Sequence, residues 1–175
     1  MREILRKYPK CEFGRELFPG NLIPILRVSG GKTTADVADW GYLTQKGKRV
    51  YNARSETLLE KPLFGKDFVQ NRCVIPVTGF CEWDGDGTGW DFLPQEEEML
   101  YLAGVCRKKT EGWEATVVTE HAAGCVGEIH HRTPLILSGE NLRQWLYDET
   151  QARQFLEEAK ERVLLKRKKM EGETL

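Results

Sequence analysis

The sequence predicts an α+β fold: a single domain with a largely antiparallel β core, flanking helices and a C-terminal helical segment. A chain of 175 residues most simply forms one domain around one core. Short β-prone runs follow one another without regular helices between them, which favours antiparallel strands over alternating strand and helix units. From Gly139 onward the apolar residues recur at helical spacing, as Leu142, Trp145 and Leu146 illustrate.

The individual strands are predicted from apolar runs that end at turn residues. We expect strands at 22–28, 33–40, 73–77 (continued past Gly79 by 80–83), 101–106, 113–119 and 135–137. Short helices are expected at 2–10, 55–59 and 66–72, and a loop or short helix at 121–128. The glycine-rich stretch 84–89 predicts a hairpin tip, and 101–106 should pair with 113–119 as a second hairpin.

Composition indicates an ordinary soluble protein, with 40% apolar and 30% charged residues. No apolar run reaches membrane-spanning length and no secretory leader is recognised, so we expect a cytoplasmic protein with reduced thiols. Its five cysteines include no C-x-x-C pair, which argues against a zinc knuckle. The net charge of −1 argues against coating nucleic acid through overall charge, but it leaves room for a local basic groove.

The first polar motif is Asn-Ala-Arg-Ser-Glu at residues 52–56. Asn52 offers a donor and an acceptor, and Arg54 offers a planar fork suited to a phosphate. An alternative interpretation is structural. In it, Asn52 or Ser55 caps a helix, and Glu56 interacts with the positive end of the helix dipole.

The second motif is Gly-Phe-Cys-Glu-Trp at residues 79–83. Alternation along a strand places Phe80 and Glu82 on one face, with Cys81 and Trp83 on the other. Glu82 therefore shares a face with an aromatic residue. It is either a partly buried acid or base with a raised pKa, or an edge residue that faces solvent.

The third motif is His-His-Arg-Thr-Pro at residues 130–134. A histidine titrates near neutral pH and is suited to proton transfer. A zinc site built from Glu128, His130 and His131 is conceivable, but neighbouring histidines on an extended chain point in different directions. The structural alternative is a polar loop before a core strand.

The three motifs together resemble those of the SRAP family, the abasic-site processing proteins first described as SOS response-associated peptidases. The family patterns are Gly-Phe-Tyr-Glu-Trp and His-x-Arg-Met-Pro, in which Cys81 and Thr133 replace the tyrosine and the methionine. Weaker matches occur in the same order along most of the chain, at 19–21, 40–42, 72–76 and 119–122.

The resemblance implies a SRAP-like domain over residues 1–165 with a DNA-binding channel, followed by a basic tail, 166–175, that we expect to fray. It implies catalytic roles for Asn52, Glu82 and His130, and DNA-binding roles for Trp40, Arg54, Thr119 and Arg132. The expected partner is single-stranded DNA that contains abasic sites, bound by a monomer in the cytoplasm, at the nucleoid. No metal or cofactor is expected.

The family's nucleophile is the main departure. SRAP proteins begin Met-Cys-Gly-Arg, and the cysteine's amine and thiol trap the abasic aldehyde as a thiazolidine. This chain begins Met1-Arg2, and its nearest thiol, Cys11, has no free α-amine. We expect a natural start upstream that restores the cysteine; the alternative is a member that binds damage without trapping it. Peptidase and lyase activities therefore stay open.

Two other functions remain open from the sequence. In the second hypothesis, the same groove belongs to a binding module that recognises single-stranded or damaged DNA and makes no covalent bond. The third hypothesis is an unrelated cysteine hydrolase that uses Cys81 or Cys125 with a histidine, although neither thiol has an obvious activating partner in the sequence.

Overall fold

The computed structural model describes residues 16–96, 98–157 and 163–170, and it confirms the α+β prediction. In chain order the elements are β1 (Leu22–Ser29), β2 (Lys32–Trp40), β3 (Tyr42–Leu43), β4 (Arg49–Val50), β5 (Asn52–Arg54), a 3-10 helix (Ser55–Thr57), α1 (Gly65–Gln70), β6 (Arg72–Val77), β7 (Phe80–Trp83), β8 (Gly89–Pro94), β9 (Leu100–Lys108), β10 (Trp113–His121), α2 (Gly124–Gly127), β11 (Arg132–Pro134), β12 (Ile136–Leu137), α3 (Asn141–Tyr147), α4 (Glu149–Glu157) and β13 (Leu165–Lys169). The helix predicted at 2–10 lies outside the described residues.

The main sheet closes on itself. Its strands pair in the circuit β10–β2–β1–β6–β9–β10, and β5, β11 and β12 add to it. All its pairings are antiparallel except those of β10 with β2 and with β5. The tight connection between β1 and β2 uses Gly30 and Gly31, which adopt positive φ values of 57° and 74° that favour glycine.

The apolar core lies on both sides of this circuit. Alternate residues of all five strands (Ile25, Ala38, Ile75, Leu102 and Val117) belong to one buried cluster, which fills the inside of the circuit. Residues in between, such as Val74 and Ala103, face outward and pack with Phe68 of α1 and Trp145 of α3. Helices therefore cover the outside of the sheet, as the apolar spacing after Gly139 predicted.

A second, three-stranded sheet in the order β13–β8–β7 packs against the inner cluster through Phe92 and Leu165. Two predictions are corrected by this sheet. Phe80–Trp83 does not continue strand β6; it turns away and pairs with β8 across the predicted hairpin tip. Lys166–Lys169 does not fray, because it pairs with β8 as part of β13.

Helix boundaries also differ slightly from the prediction. Helix α1 ends at Gln70, and Arg72 opens strand β6. No helix among the described residues is long and apolar enough to cross a membrane.

Candidate functional site

Glu82 and His130 meet where the small sheet adjoins the edge of the main sheet. Strand β7 carries Glu82, and His130 lies in the segment between α2 and β11. Glu82 Oε2 is 3.5 Å from His130 Nδ1, and the two side chains are 25% and 32% exposed. A carboxylate and an imidazole at this distance, partly shielded from water, form an acid–base pair that is still open to a substrate.

The environment of Glu82 decides between the two interpretations of the second motif. Phe80, two residues earlier, stacks on Phe92 at 5.1 Å, so this face of the small sheet is largely apolar. Burial raises the pKa of Glu82, and the charge of His130 opposes part of that rise. Glu82 is therefore a partly buried base rather than a solvent-facing edge residue.

This burial leads to a prediction about stability. Because the pKa of Glu82 is higher in the folded protein than its ordinary value of 4.5, Glu82 lowers the stability increasingly as the pH rises above 4.5. We expect Glu82→Gln to melt at a higher temperature than the wild type at pH 7.5 and at the same temperature at pH 4. Thermal melts followed by circular dichroism test this. A lower melting temperature of the variant at pH 7.5 would mean that the pairing with His130 outweighs the burial of Glu82.

The backbone of Arg132 holds the imidazole of His130. His130 Nδ1 lies 3.0 Å from the carbonyl oxygen of Arg132 and 3.2 Å from its amide nitrogen. When protonated, Nδ1 donates to the carbonyl or to Glu82; when unprotonated, it accepts from the Arg132 amide. Of these neighbours, only the Glu82 carboxylate can exchange a proton with Nδ1, and the Arg132 backbone orients the ring toward it.

His131 does not form a metal site with His130. The two rings are in contact, with centroids 4.5 Å apart. Within residues 16–96, 98–157 and 163–170, no group of three histidine, cysteine or acidic side chains is arranged to hold a metal ion.

The side chain of Arg132 belongs to a second cluster beside the acid–base pair. It binds the carboxylate of Glu56 with both terminal nitrogens, at 2.6 and 3.1 Å. It also donates to the carbonyl and hydroxyl oxygens of buried Thr119, at 2.6 and 3.2 Å. His121 Nε2 lies 3.3 Å from the same carboxylate. Arg132 and Thr119, both predicted to face DNA, therefore contact each other.

Asn52 and Arg54 lie on strand β5, beside the end of β10 that carries Thr119. Both are exposed, whereas Ala53 between them is buried in the core. The capping interpretation is wrong, because Arg54 occupies the N-cap position of the 3-10 helix and no side chain caps it. Asn52 and Arg54 instead share the outward face of a strand, where both side chains are open to solvent.

Trp40 is half-buried at the end of β2, and its indole NH donates to the carbonyl of Tyr51 at 3.1 Å. The ring of Tyr51 meets Trp40 edge-on and is 44% exposed. Trp40 thus supports a more accessible aromatic side chain immediately before Asn52. The sequence analysis missed Tyr51, although its position next to the motif was a usable signal.

The cysteines lack the features of a nucleophile. Cys81 Sγ donates to Asp91 at 3.1 Å, on the opposite face from Glu82, and burial together with Asp91 raises its pKa to about 12. Cys125 Sγ points to the carbonyl of Leu165 at 3.7 Å. A thiol that is held protonated is a poor nucleophile, which disfavours a cysteine hydrolase that uses Cys81. Cys11 lies outside the described residues.

Two further features near the site were not recognised from the sequence. The pairing of Glu56 with Arg132 joins residues 76 positions apart, so no local pattern reveals it. Strand β13 also brings exposed cations into the sheet of Glu82, and Arg167 pairs with Glu128, two residues before His130.

Comparisons with known proteins agree with the motifs. The family model described as SOS response associated peptidase (SRAP) matches residues 7–171. Abasic site processing protein YoqW of Bacillus subtilis is 32% identical over 119 residues, which cover 63% of this chain and 53% of that protein. Abasic site processing protein HMCES of Gallus gallus is 33% identical over 124 residues, covering 54% and 37%. The chain thus spans about half the length of the Bacillus relative.

Solved structures give the same fold. A crystal structure of a Bordetella bronchiseptica protein superposes with a TM-score of 0.76 at 22% identity, covering 97% of this chain and 96% of the other. A Bacteroides thetaiotaomicron protein superposes with a TM-score of 0.68 at 21% identity, covering 86% and 74%. At these identities the likeness shows the fold alone. The family match over 7–171, together with this fold, shows that the chain belongs to the SRAP family.

Proposed function

We propose that this chain processes abasic sites in single-stranded DNA as part of the response to DNA damage. The observation that carries the proposal is the partly shielded pair of Glu82 and His130, 3.5 Å apart. Exposed Arg54 is connected to this pair through Thr119, which lies opposite Arg54 on strand β10 and accepts a hydrogen bond from Arg132. It is supported by the relatives, which are named abasic site processing proteins. Arg54 would bind a phosphate, and Asn52 would orient the opened sugar.

The proposed chemistry is β-elimination. In the ring-opened sugar, the C1′ aldehyde makes the C2′ protons acidic. The pair of Glu82 and His130 removes one of these protons, the electron pair forms a C2′–C3′ double bond, and the C3′–O bond breaks. The 3′ phosphate leaves as an anion, and the pair holds the proton until water takes it. The raised pKa of Glu82 makes it a stronger base than an ordinary carboxylate.

The trapping group is a separate question. In the SRAP pattern it is a cysteine after the initiator methionine, and residues 1–15 of this chain lie outside the described residues. Elimination by Glu82 and His130 needs no thiol, so strand cleavage and covalent trapping are independent outcomes of one experiment.

That experiment is a denaturing gel of the protein incubated with a single-stranded oligonucleotide that carries one abasic site. We expect cleavage at the site, or a slow-migrating adduct, and neither with a tetrahydrofuran analogue that lacks the aldehyde. Binding on a native gel without either product would support the alternative function, a non-catalytic module for damaged single strands.

Arg54 provides a test of DNA binding that does not depend on the chemistry. Its side chain is exposed on strand β5, opposite Thr119, so we expect Arg54→Gln to weaken binding to abasic and intact single strands equally. The slope of log affinity against log salt should fall by about 0.7, the value for one phosphate contact on a single strand. Fluorescence anisotropy at several salt concentrations measures both.

The matched control is Arg143→Gln, which removes an exposed arginine on α3, a helix on the outer face of the sheet. It should leave the affinity and the salt slope unchanged. Equal losses in the two variants would show that only overall charge matters and would contradict a specific phosphate contact by Arg54.

We further propose that the protein acts as a monomer on DNA at the nucleoid, because the groups named for binding and chemistry all lie within one chain.

A further inference from the structure

The side chain of Glu56 lies between Arg132 and solvent. Arg132 is 12% exposed, whereas Glu56 is 38% exposed. Each carboxylate oxygen binds a different terminal nitrogen of the guanidinium, at 2.6 and 3.1 Å. This is the two-bond arrangement by which an arginine also binds a phosphate. The face of Arg132 that is suited to a phosphate is therefore already occupied by an anion of the protein.

We propose that Glu56 is an internal anion that blocks Arg132 in the DNA-free protein and is displaced by a DNA phosphate when the strand enters. This inference rests on the proposed function. It assigns a role in affinity to Glu56, for which the sequence analysis had only a helix-dipole interaction. Arg132 then binds DNA only after Glu56 has been displaced.

The contacts of the two partners indicate which one moves. Arg132 is fixed from behind by two hydrogen bonds to Thr119 and by its place in strand β11. Glu56 lies in a 3-10 helix of only three residues, and its side chain reaches outward. Displacement thus needs a rotation of one partly exposed carboxylate, whereas moving Arg132 would break the contacts beside the acid–base pair.

His121 gives the displaced carboxylate a second partner. Its Nε2 is already 3.3 Å from Glu56 Oε1, and its side chain is 73% exposed. A carboxylate that turns away from Arg132 can keep this contact. The exchange therefore replaces one anion on Arg132 by another. The displaced carboxylate of Glu56 keeps its contact with His121.

The test is the affinity of Glu56→Gln for a single-stranded oligothymidylate, measured by fluorescence anisotropy. Glutamine carries no charge to compete with a phosphate, and its NH₂ group cannot form the second bond to the guanidinium. We expect the dissociation constant to fall about tenfold. The salt slope should change little, because Arg132 contacts a phosphate in both complexes and the variant only removes the competing carboxylate. Glu56→Asp keeps the charge and should stay close to the wild type.

The gain must depend on Arg132. In a protein that already carries Arg132→Gln, adding Glu56→Gln should change the affinity by less than twofold, and a double-mutant cycle measures this coupling. If Glu56 merely positions Arg132, Glu56→Gln weakens binding or leaves it unchanged, and the proposal is overturned. Thermal melts check that each variant is folded.

The two proposals fail differently. If the wild type binds and cleaves abasic DNA but Glu56→Gln binds no more tightly, the role of Glu56 is wrong and the proposed function stands. If neither the wild type nor Glu56→Gln binds DNA, the proposed function and the displacement fail together. Binding by Glu56→Gln alone would mean that Glu56 blocks Arg132 and is not displaced by DNA, so the displacement would be overturned.

Discussion

Glu82→Gln is expected to slow strand cleavage at an abasic site by about 10²- to 10⁴-fold while DNA affinity changes less than about twofold. Glutamine keeps the shape of the side chain but cannot take a proton. Affinity should persist because the proposed phosphate contacts come from other residues. Single-turnover cleavage of a labelled oligonucleotide gives the rate, and anisotropy gives the affinity.

The pH dependence provides a second readout of the same residue. The reaction needs the carboxylate form of Glu82, whose pKa burial raises. The wild-type rate should therefore rise with pH until Glu82 is deprotonated. The midpoint of this rise should lie above 4.5, the ordinary pKa of a glutamate. In Glu82→Gln this rise of the rate with pH should disappear. If the residual rate of the variant still rose with pH as in the wild type, the rise would belong to another group.

His130→Ala should cause a loss of similar size, since the two side chains share one proton. Their effects should not add: the double variant should be about as slow as the slower single variant. Fully additive losses would mean that Glu82 and His130 act in separate steps rather than as a pair.

Cys81→Ser is the matched control for these variants. Cys81 is adjacent to Glu82, but it faces the other side of the strand and donates to Asp91. Its replacement should leave the cleavage rate unchanged. A loss comparable to that of Glu82→Gln would return the cysteine hydrolase to consideration, whereas full activity in Glu82→Gln and in His130→Ala would exclude the proposed acid–base pair.

Much of the fold was predictable because its strands are local patterns. The runs around Leu26, Val74, Val105 and Val117 are apolar and end at turn residues, which is sufficient to predict strands. The fate of Lys166–Lys169 was not predictable in this way. Four consecutive cations have the pattern of a solvated tail. They form a strand because they pair with β8, which is distant in the sequence.

The candidate site shows a similar division. A partly buried acid or base was one of two interpretations of Glu82 in its aromatic run, and the apolar face beside Phe80 decides for it. Its contact with His130 joins residues 48 positions apart, and the resemblance to a family, not the local pattern, brought the two together. The contact of Arg132 with Glu56 was not foreseen, because two oppositely charged residues on distant segments carry no sequence signal of pairing.

Arg72→Met is expected to destabilise the folded protein by about 2–4 kcal/mol. Arg72 is a buried arginine at the start of β6, 8% exposed. Its Nε donates to the carbonyl of Trp145 at 2.6 Å, and Nη1 donates to that of Phe68 at 2.7 Å. These carbonyls lie in the last turns of α3 and α1. The carbonyl groups of a last helical turn have no hydrogen-bond partner within their own helix. Burial lowers the pKa of Arg72, and the two carbonyl contacts compensate for part of the hydration that its guanidinium loses.

Methionine preserves the unbranched apolar stem and removes only the guanidinium. The loss of stability should therefore reflect the missing hydrogen bonds at the two helix ends rather than a cavity. For a chain of this length, the melting temperature should fall by about 6–12 °C. Arg72→Lys should also lose stability, because one ammonium cannot replace the planar fork at two carbonyls. The measurement is a denaturant melt and a thermal melt of each variant.

The control for this prediction is Arg153→Met, which removes an arginine from an exposed ion pair with Glu149 on α4. Such a pair contributes about 0.5 kcal/mol or less, so this variant should melt within about 2 °C of the wild type. If Arg72→Met and Arg153→Met melted at the same temperature, the buried arginine would not be what joins α1 and α3 to strand β6. A large difference would show that the outer layer of helices depends on one side chain that caps two of them.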